Sequence, residues 1–255
     1  MRQLHPTLTD PVDPERVYAD LPAAPGRPGV RLNMIASVDG ATAVDGKSGP
    51  LGGPPDRAVY RLLRAFADVV LVAAGTARIE NYKPARRYEE YVAARRARGQ
   101  ADVPRIAVVS RRLDLDWDSP LFRDAAEPTI VITTTDADAD GLGRARAHAH
   151  LIATGTGGDV DLAAAVAELG ALGARHVLAE GGPSLNGALA AADLIDEVCL
   201  TISPKLAGGS AKRILAGPDL PPLDLELRSL LEEDGFLMAR YRRIRTPDGG
   251  GAGRD

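Results

Sequence analysis

The chain has 255 residues, 45% of them hydrophobic and only 4% aromatic, with a net charge of −4. That is enough to bury a sizeable aliphatic core, and it gives no general cationic field for nucleic acid or an anionic membrane. No apolar run approaches the ~20 residues that a membrane span needs. The lone cysteine, Cys199, cannot form an internal disulfide and fits a reducing cytosol, and four scattered histidines without an HExxH pattern argue against a protein-built metal site.

Residues 1–29 carry several prolines and no sustained period, which predicts an N-terminal extension that packs on the surface or stays loose. No apolar stretch there suits a secretory signal. Short apolar runs predict strands at 30–36, 68–73, 105–110, 129–133, 148–153, 176–179 and 197–202. Several are continuously apolar, as strands covered on both faces are. Helical patterns fall at 54–67, 88–98, 159–172 and 183–192. Their alternation with strands predicts a three-layer α/β domain over residues 30–246 with a mostly parallel, mixed central sheet. Two strand-like runs, 225–231 and 235–244, flank Asp234-Gly235, so a C-terminal antiparallel hairpin closes the domain. The Gly-rich end, residues 247–255, is expected to be a disordered tail.

The helix at 54–67 is the most sharply patterned. Pro55 suits its first turn. Val59, Leu62, Leu63 and Phe66 form a core stripe, and Arg57, Arg61 and Arg64 share another face, either solvated or an anion site.

Four segments could carry chemistry. In 178–189, an apolar strand ends at Glu180 and runs through Gly181 and Gly182 to a helix opened by Pro183, Ser184 and Leu185. Glycines allow close phosphate approach, and amides at a helix start favour anions. A carboxylate ending a buried strand is costly unless it is partnered or functional. In 33–57, a strand leads through Ser37-Val38-Asp39-Gly40 into a Gly- and Pro-rich loop suited to covering a ligand. In 69–87, a strand ends at Gly75-Thr76 with Arg78, Glu80, Tyr82 and Lys83 just beyond, where open α/β sheets bind ligands. In 107–112, Ser110, Arg111 and Arg112 end another strand, a grouping suited to a phosphomonoester.

Taken together, ASVDGATA at 36–43, GTARIENYKP at 75–84, VVSRRLDL at 108–115 and EGGPSLNGALAAADLIDEVCLTISPKLAGG at 180–209 resemble the reductase domain of the bacterial riboflavin deaminase-reductases, a dihydrofolate-reductase-like family. The companion zinc deaminase signature is absent from the sequence. The resemblance implies an NADPH-dependent reduction of 5-amino-6-(5-phosphoribosylamino)uracil, in a cytoplasmic homodimer. It implies substrate contacts at Ser48, Arg64 and Glu180. Cofactor contacts fall at Thr76, Ser110 and the turn Gly181, Gly182, Pro183, Ser184 and Leu185, with Arg111 expected to add to the 2′-phosphate site. Glu80 stands where relatives carry Asp beside the nicotinamide, and is the expected catalytic group. The substrate phosphate is expected on Arg64. The final hairpin and the strand at 197–202 are expected to offer sheet edges that a dimer would cover. Two departures touch the pocket: Asn33 replaces a frequent Lys, and residues 49–53 replace a Trp-containing segment. They leave open reduction of another pteridine or pyrimidine, such as dihydrofolate, and a non-catalytic NADPH-binding protein.

Overall fold

The computed structural model describes residues 1–20, 22 and 24–245. In chain order the elements are β1 (Arg2–His5), α1 (Pro14–Tyr18), β2 (Gly29–Ser37), α2 (Pro54–Phe66), β3 (Val69–Ala73), α3 (Ala74–Ile79), α4 (Glu89–Ala97), β4 (Arg105–Val109), α5 (Pro120–Arg123), β5 (Ile130–Thr133), α6 (Ala139–His148), β6 (His150–Ala153), α7 (Leu162–Ala171), β7 (His176–Ala179), α8 (Pro183–Ala191), β8 (Glu197–Ser203), β9 (Leu225–Glu233) and β10 (Phe236–Arg243). One ten-stranded sheet runs in the order β1-β9-β10-β8-β2-β7-β3-β4-β5-β6. From β8 to β6 neighbouring strands are parallel, and β10, β9 and β1 pair antiparallel.

Alternation along each strand divides the core between the two faces. Val69 and Leu71 pack with α7 and α8 through Leu162, Val166, Leu169, Leu185 and Leu189. Val70 and Val72 pack on the other face with the α2 stripe Val59, Leu62, Leu63 and Phe66. Each of those buried side chains contributes about 1.5–3 kcal/mol. This is the expected three-layer mixed sheet with its closing hairpin.

Two expectations need correction. Residues 1–29 are not merely laid on the surface: β1 pairs with β9, Tyr18 is wholly buried, and Arg240 donates to the Val17 and Asp20 carbonyls at 2.6 and 2.5 Å. The edge argument for a dimer also fails. β8 lies between β10 and β2, and β1 covers the free side of the hairpin, so the outer strands are β1 and β6. The tail at 247–255 lies outside the described residues. Among the described residues no helix is long and apolar enough to cross a membrane.

Candidate active site

The carboxyl ends of β2, β3 and β7 open on a cavity of about 920 Å³, walled by the loops that follow them and by the loop between β8 and β9. The split between α8 on one sheet face and α2 on the other leaves this crevice, as in other open α/β sheets. Ser48, Thr76, Glu80, Glu180, Gly182, Pro183, Ser184 and Leu185 all line it.

Glu80 caps the short helix α3 and accepts from Ser48 twice, from the backbone amide at 2.8 Å and from the hydroxyl at 2.9 Å. The pairing ties the loop between β2 and α2 to the end of α3. Thr76 stands against the turn into α8. A Cβ on Gly182 would come within 2.5 Å of the Thr76 hydroxyl, so any larger residue there would force Thr76 away from the turn. The first amides of α8 open on the cavity beside it, a cradle that fits a dinucleotide's phosphates.

Glu180 is buried and held by three donors. Arg64 grips it in a bidentate pair at 2.7 and 2.6 Å, and Tyr82 donates its hydroxyl at 2.5 Å. The Arg64 guanidinium lies between the rings of Tyr60 and Tyr82, 4.5 and 5.5 Å from their centres. Burial opposes the Arg64 charge, but the Glu180 carboxylate more than offsets it and holds its pKa above the ordinary value. The Tyr82 hydroxyl is held protonated by burial first and by Glu180 second.

Arg64, the expected phosphate contact, is thus engaged with Glu180. Arg64 spends two guanidinium nitrogens on Glu180 and does not line the cavity, while Arg57 and Arg61 are exposed and do not reach it. Gly181 does not line the cavity, although its neighbours Glu180 and Gly182 do. Ser110 and Arg111 are on the same carboxyl edge of the sheet but farther along, at the end of β4. The Ser110 hydroxyl accepts from the Leu113 amide at 3.1 Å, and exposed Arg111 pairs with Asp159 at 3.2 Å.

Asp56, Tyr60 and Lys212 on the wall escaped the sequence reading. Asp56, in the first turn of α2, lines the cavity; burial raises its pKa, with the Thr201 hydroxyl acting in the opposite direction. Tyr60 follows one turn later, and its hydroxyl pKa is raised by burial and then by Glu180. Lys212 comes from the loop after β8, while Asn33, expected at the pocket, lines the cavity from β2. The acidic residue in the α2 cap region was readable as a helix-start signal only, which is why its second use went unnoticed.

A family model described as the RibD C-terminal domain matches residues 28–234. The riboflavin biosynthesis protein RibD of Escherichia coli (strain K12) is 28% identical over 204 residues, 78% of this chain and 54% of that protein. The chain therefore spans about half the length of that relative. The 2,5-diamino-6-ribosylamino-4(3H)-pyrimidinone 5′-phosphate reductase of Archaeoglobus fulgidus is 26% identical over 184 residues, 72% of this chain and 83% of that one. Among solved structures, a pyrimidine reductase-like protein from Corynebacterium diphtheriae superposes with a TM-score of 0.80 at 28% identity, over 92% of this chain and 100% of that one. The riboflavin biosynthesis reductase Rib7 of Saccharomyces cerevisiae shares the fold, with a TM-score of 0.68 at 18% identity over 91% of this chain and 100% of that one.

Proposed function

The chain belongs to the RibD C-terminal domain family, and from that premise we propose that it is an NADPH-dependent reductase of a ribosylaminopyrimidine phosphate, acting on 5-amino-6-(5-phosphoribosylamino)uracil. The observation that carries this reading is the convergence of Ser48, Thr76, Glu80, Glu180 and the 182–185 turn, from well-separated stretches of chain, on one cavity. The names of the similar reductases support the substrate class.

When bound, NADPH would supply the hydride that C1′ of the opened ribosyl imine accepts. Thr76 and the start of α8 would hold the cofactor's inner phosphates, and Ser110 with Arg111 its 2′-phosphate. The protein's share is alignment and exclusion of water. Glu80, locked by Ser48, sets the orientation of the reacting end. As the C=N bond is reduced the imine nitrogen takes a proton, and Asp56, which lines the cavity and whose acid form burial favours, would give it. Glu180 presents a fixed carboxylate to the pyrimidine edge, with Arg64 and Tyr82 as its positioning residues.

A second reading is favoured by one observation: Arg64 is sealed off by Glu180 and Asn33 supplies no charge, so the acid-lined end suits an unphosphorylated pteridine or pyrimidine. Glu180→Gln and Arg64→Ala test both. Because Arg64 acts through Glu180, both variants should lower kcat/KM by about tenfold or more and leave NADPH affinity near wild type. A rise in KM confined to phosphorylated substrates in Arg64→Ala would show instead that Arg64 leaves Glu180 to bind the phosphate. Loss of NADPH binding in either variant would overturn the placement of substrate.

A further inference from the structure

Charge is unevenly spread around the cavity. Asp45, Glu80 and Glu180 line it, whereas Lys212 is the one basic side chain on its wall among the described residues. A phosphate group is repelled from the carboxylates and drawn toward the Lys212 end.

Lys212 belongs to the loop between β8 and β9, and this loop is fastened on both sides of its cavity-facing stretch. The Asp39 carboxylate accepts from the Ala207 and Gly208 amides at 3.1 and 2.7 Å. The Thr42 hydroxyl donates to the Lys212 carbonyl at 2.8 Å. Farther on, the Asn186 side-chain Nδ2 donates to the Ile214 carbonyl at 2.7 Å, and the Ala216 backbone amide donates to the Pro183 carbonyl at 2.9 Å. These last two anchors stand on the first turns of α8. Between the anchors, the amides of Gly209, Ser210 and Ala211 make no hydrogen bond among the described residues, and all three residues line the cavity. The first-turn amides of α8, opened by Pro183 and Ser184, line the same space. A run of unspent amides next to an ammonium group is a donor set for phosphate oxygens.

We infer that residues 208–212 form a phosphate-binding strap, with the Lys212 ammonium and the open amides closing on a phosphate from one side and the start of α8 from the other. The inference rests on the reductase reading only for the source of that phosphate. It is the pyrophosphate of the dinucleotide or the phosphomonoester of the substrate, and the strap itself follows from the geometry.

Hydrogen exchange on the full chain with inorganic pyrophosphate tests the strap without turnover. The expected result is slowed exchange at 209–211, lost in Lys212→Ala and retained in Lys212→Arg. Binding and kinetics then assign the source. A Kd for NADPH about tenfold weaker in Lys212→Ala, with substrate KM unchanged, assigns the cofactor's pyrophosphate, and the reverse pattern assigns the substrate's phosphate. Unchanged exchange with pyrophosphate, or a Lys212→Ala protein that matches wild type in both constants, would overturn the strap. Pyrophosphate protection in a wild-type protein that oxidises no NADPH would leave the strap standing and remove the reductase reading.

Discussion

Burial holds the Asp56 carboxyl above the ordinary carboxylate range, and the Thr201 hydroxyl works against that shift. An acid whose folded pKa is raised contributes stability below its unfolded pKa and loses it as pH climbs through the folded value. Asp56→Asn removes that dependence. The variant should therefore melt above wild type at neutral pH, with the gap closing below about pH 4, where the unfolded carboxyl is also protonated. If Asp56 is the proton donor, the same variant should lose about a hundredfold in kcat. A Tm difference that does not change with pH would contradict the buried-acid account, and full activity in the variant would remove Asp56 from the chemistry. Arg64 teaches a different lesson at this scale. Its helix face was legible, but its partner Glu180 lies 116 residues away, and no local pattern announces such a pair. The sequence offered a cation near an anion site; the fold made it the support of a carboxylate.

Among the elements, α8 and the loop after β8 are the pair on which the site depends. Their contact is close: a Cβ on Gly187 would meet the Ala216 carbonyl oxygen at 2.2 Å. Gly187→Ala must push that carbonyl, and with it the anchor between Ala216 and Pro183, away from the helix. The expected outcome is a loosened loop, read as faster hydrogen exchange across 208–216 and weaker NADPH binding, while α2 and the hairpin keep wild-type protection. Uniformly faster exchange throughout would mean that the contact serves the whole core rather than the site.

The elements with a strong period were legible in advance. The α2 stripe, the closing hairpin and the apolar strands fall within a residue or two of expectation. Those missed lacked such a pattern. In α6, ADGLGRARAH carries two glycines and a single large apolar residue, so nothing marks a buried face. The helix α3 is only six residues long and contains Gly75, so the stretch read as a ligand loop. The strand β1 is defined by its partner β9, 225 residues and more downstream, and not by alternation of its own.

At the scale of the whole molecule, the two ends of the parallel strands do different work. The amino ends of β2 and β8 are bound by charge: Arg31 donates to Glu197 at 2.5 Å, and Arg240 and Arg242 approach the same carboxylate at 2.9 and 3.3 Å. Glu197 is wholly buried, so losing its partners would be costly, on the order of 3–5 kcal/mol. The N-terminal segment seals this end, with Asp20 taking Arg240 and Arg242. The carboxyl ends are left open, and there the loops of four strands meet in the cavity. Rigid support at one end and adaptable loops at the other suit a site that must bring two ligands into contact.

The proposed reaction delivers hydride to C1′ of a ribosylaminopyrimidine phosphate in that cavity. It is tested most directly by incubating the protein with NADPH deuterated at the transferable position and 5-amino-6-(5-phosphoribosylamino)uracil, and reading the product by mass spectrometry and NMR. One deuterium is expected at C1′ of a ribityl product, formed in step with NADPH oxidation. A protein that binds NADPH but returns the pyrimidine unreduced and unlabelled would contradict it.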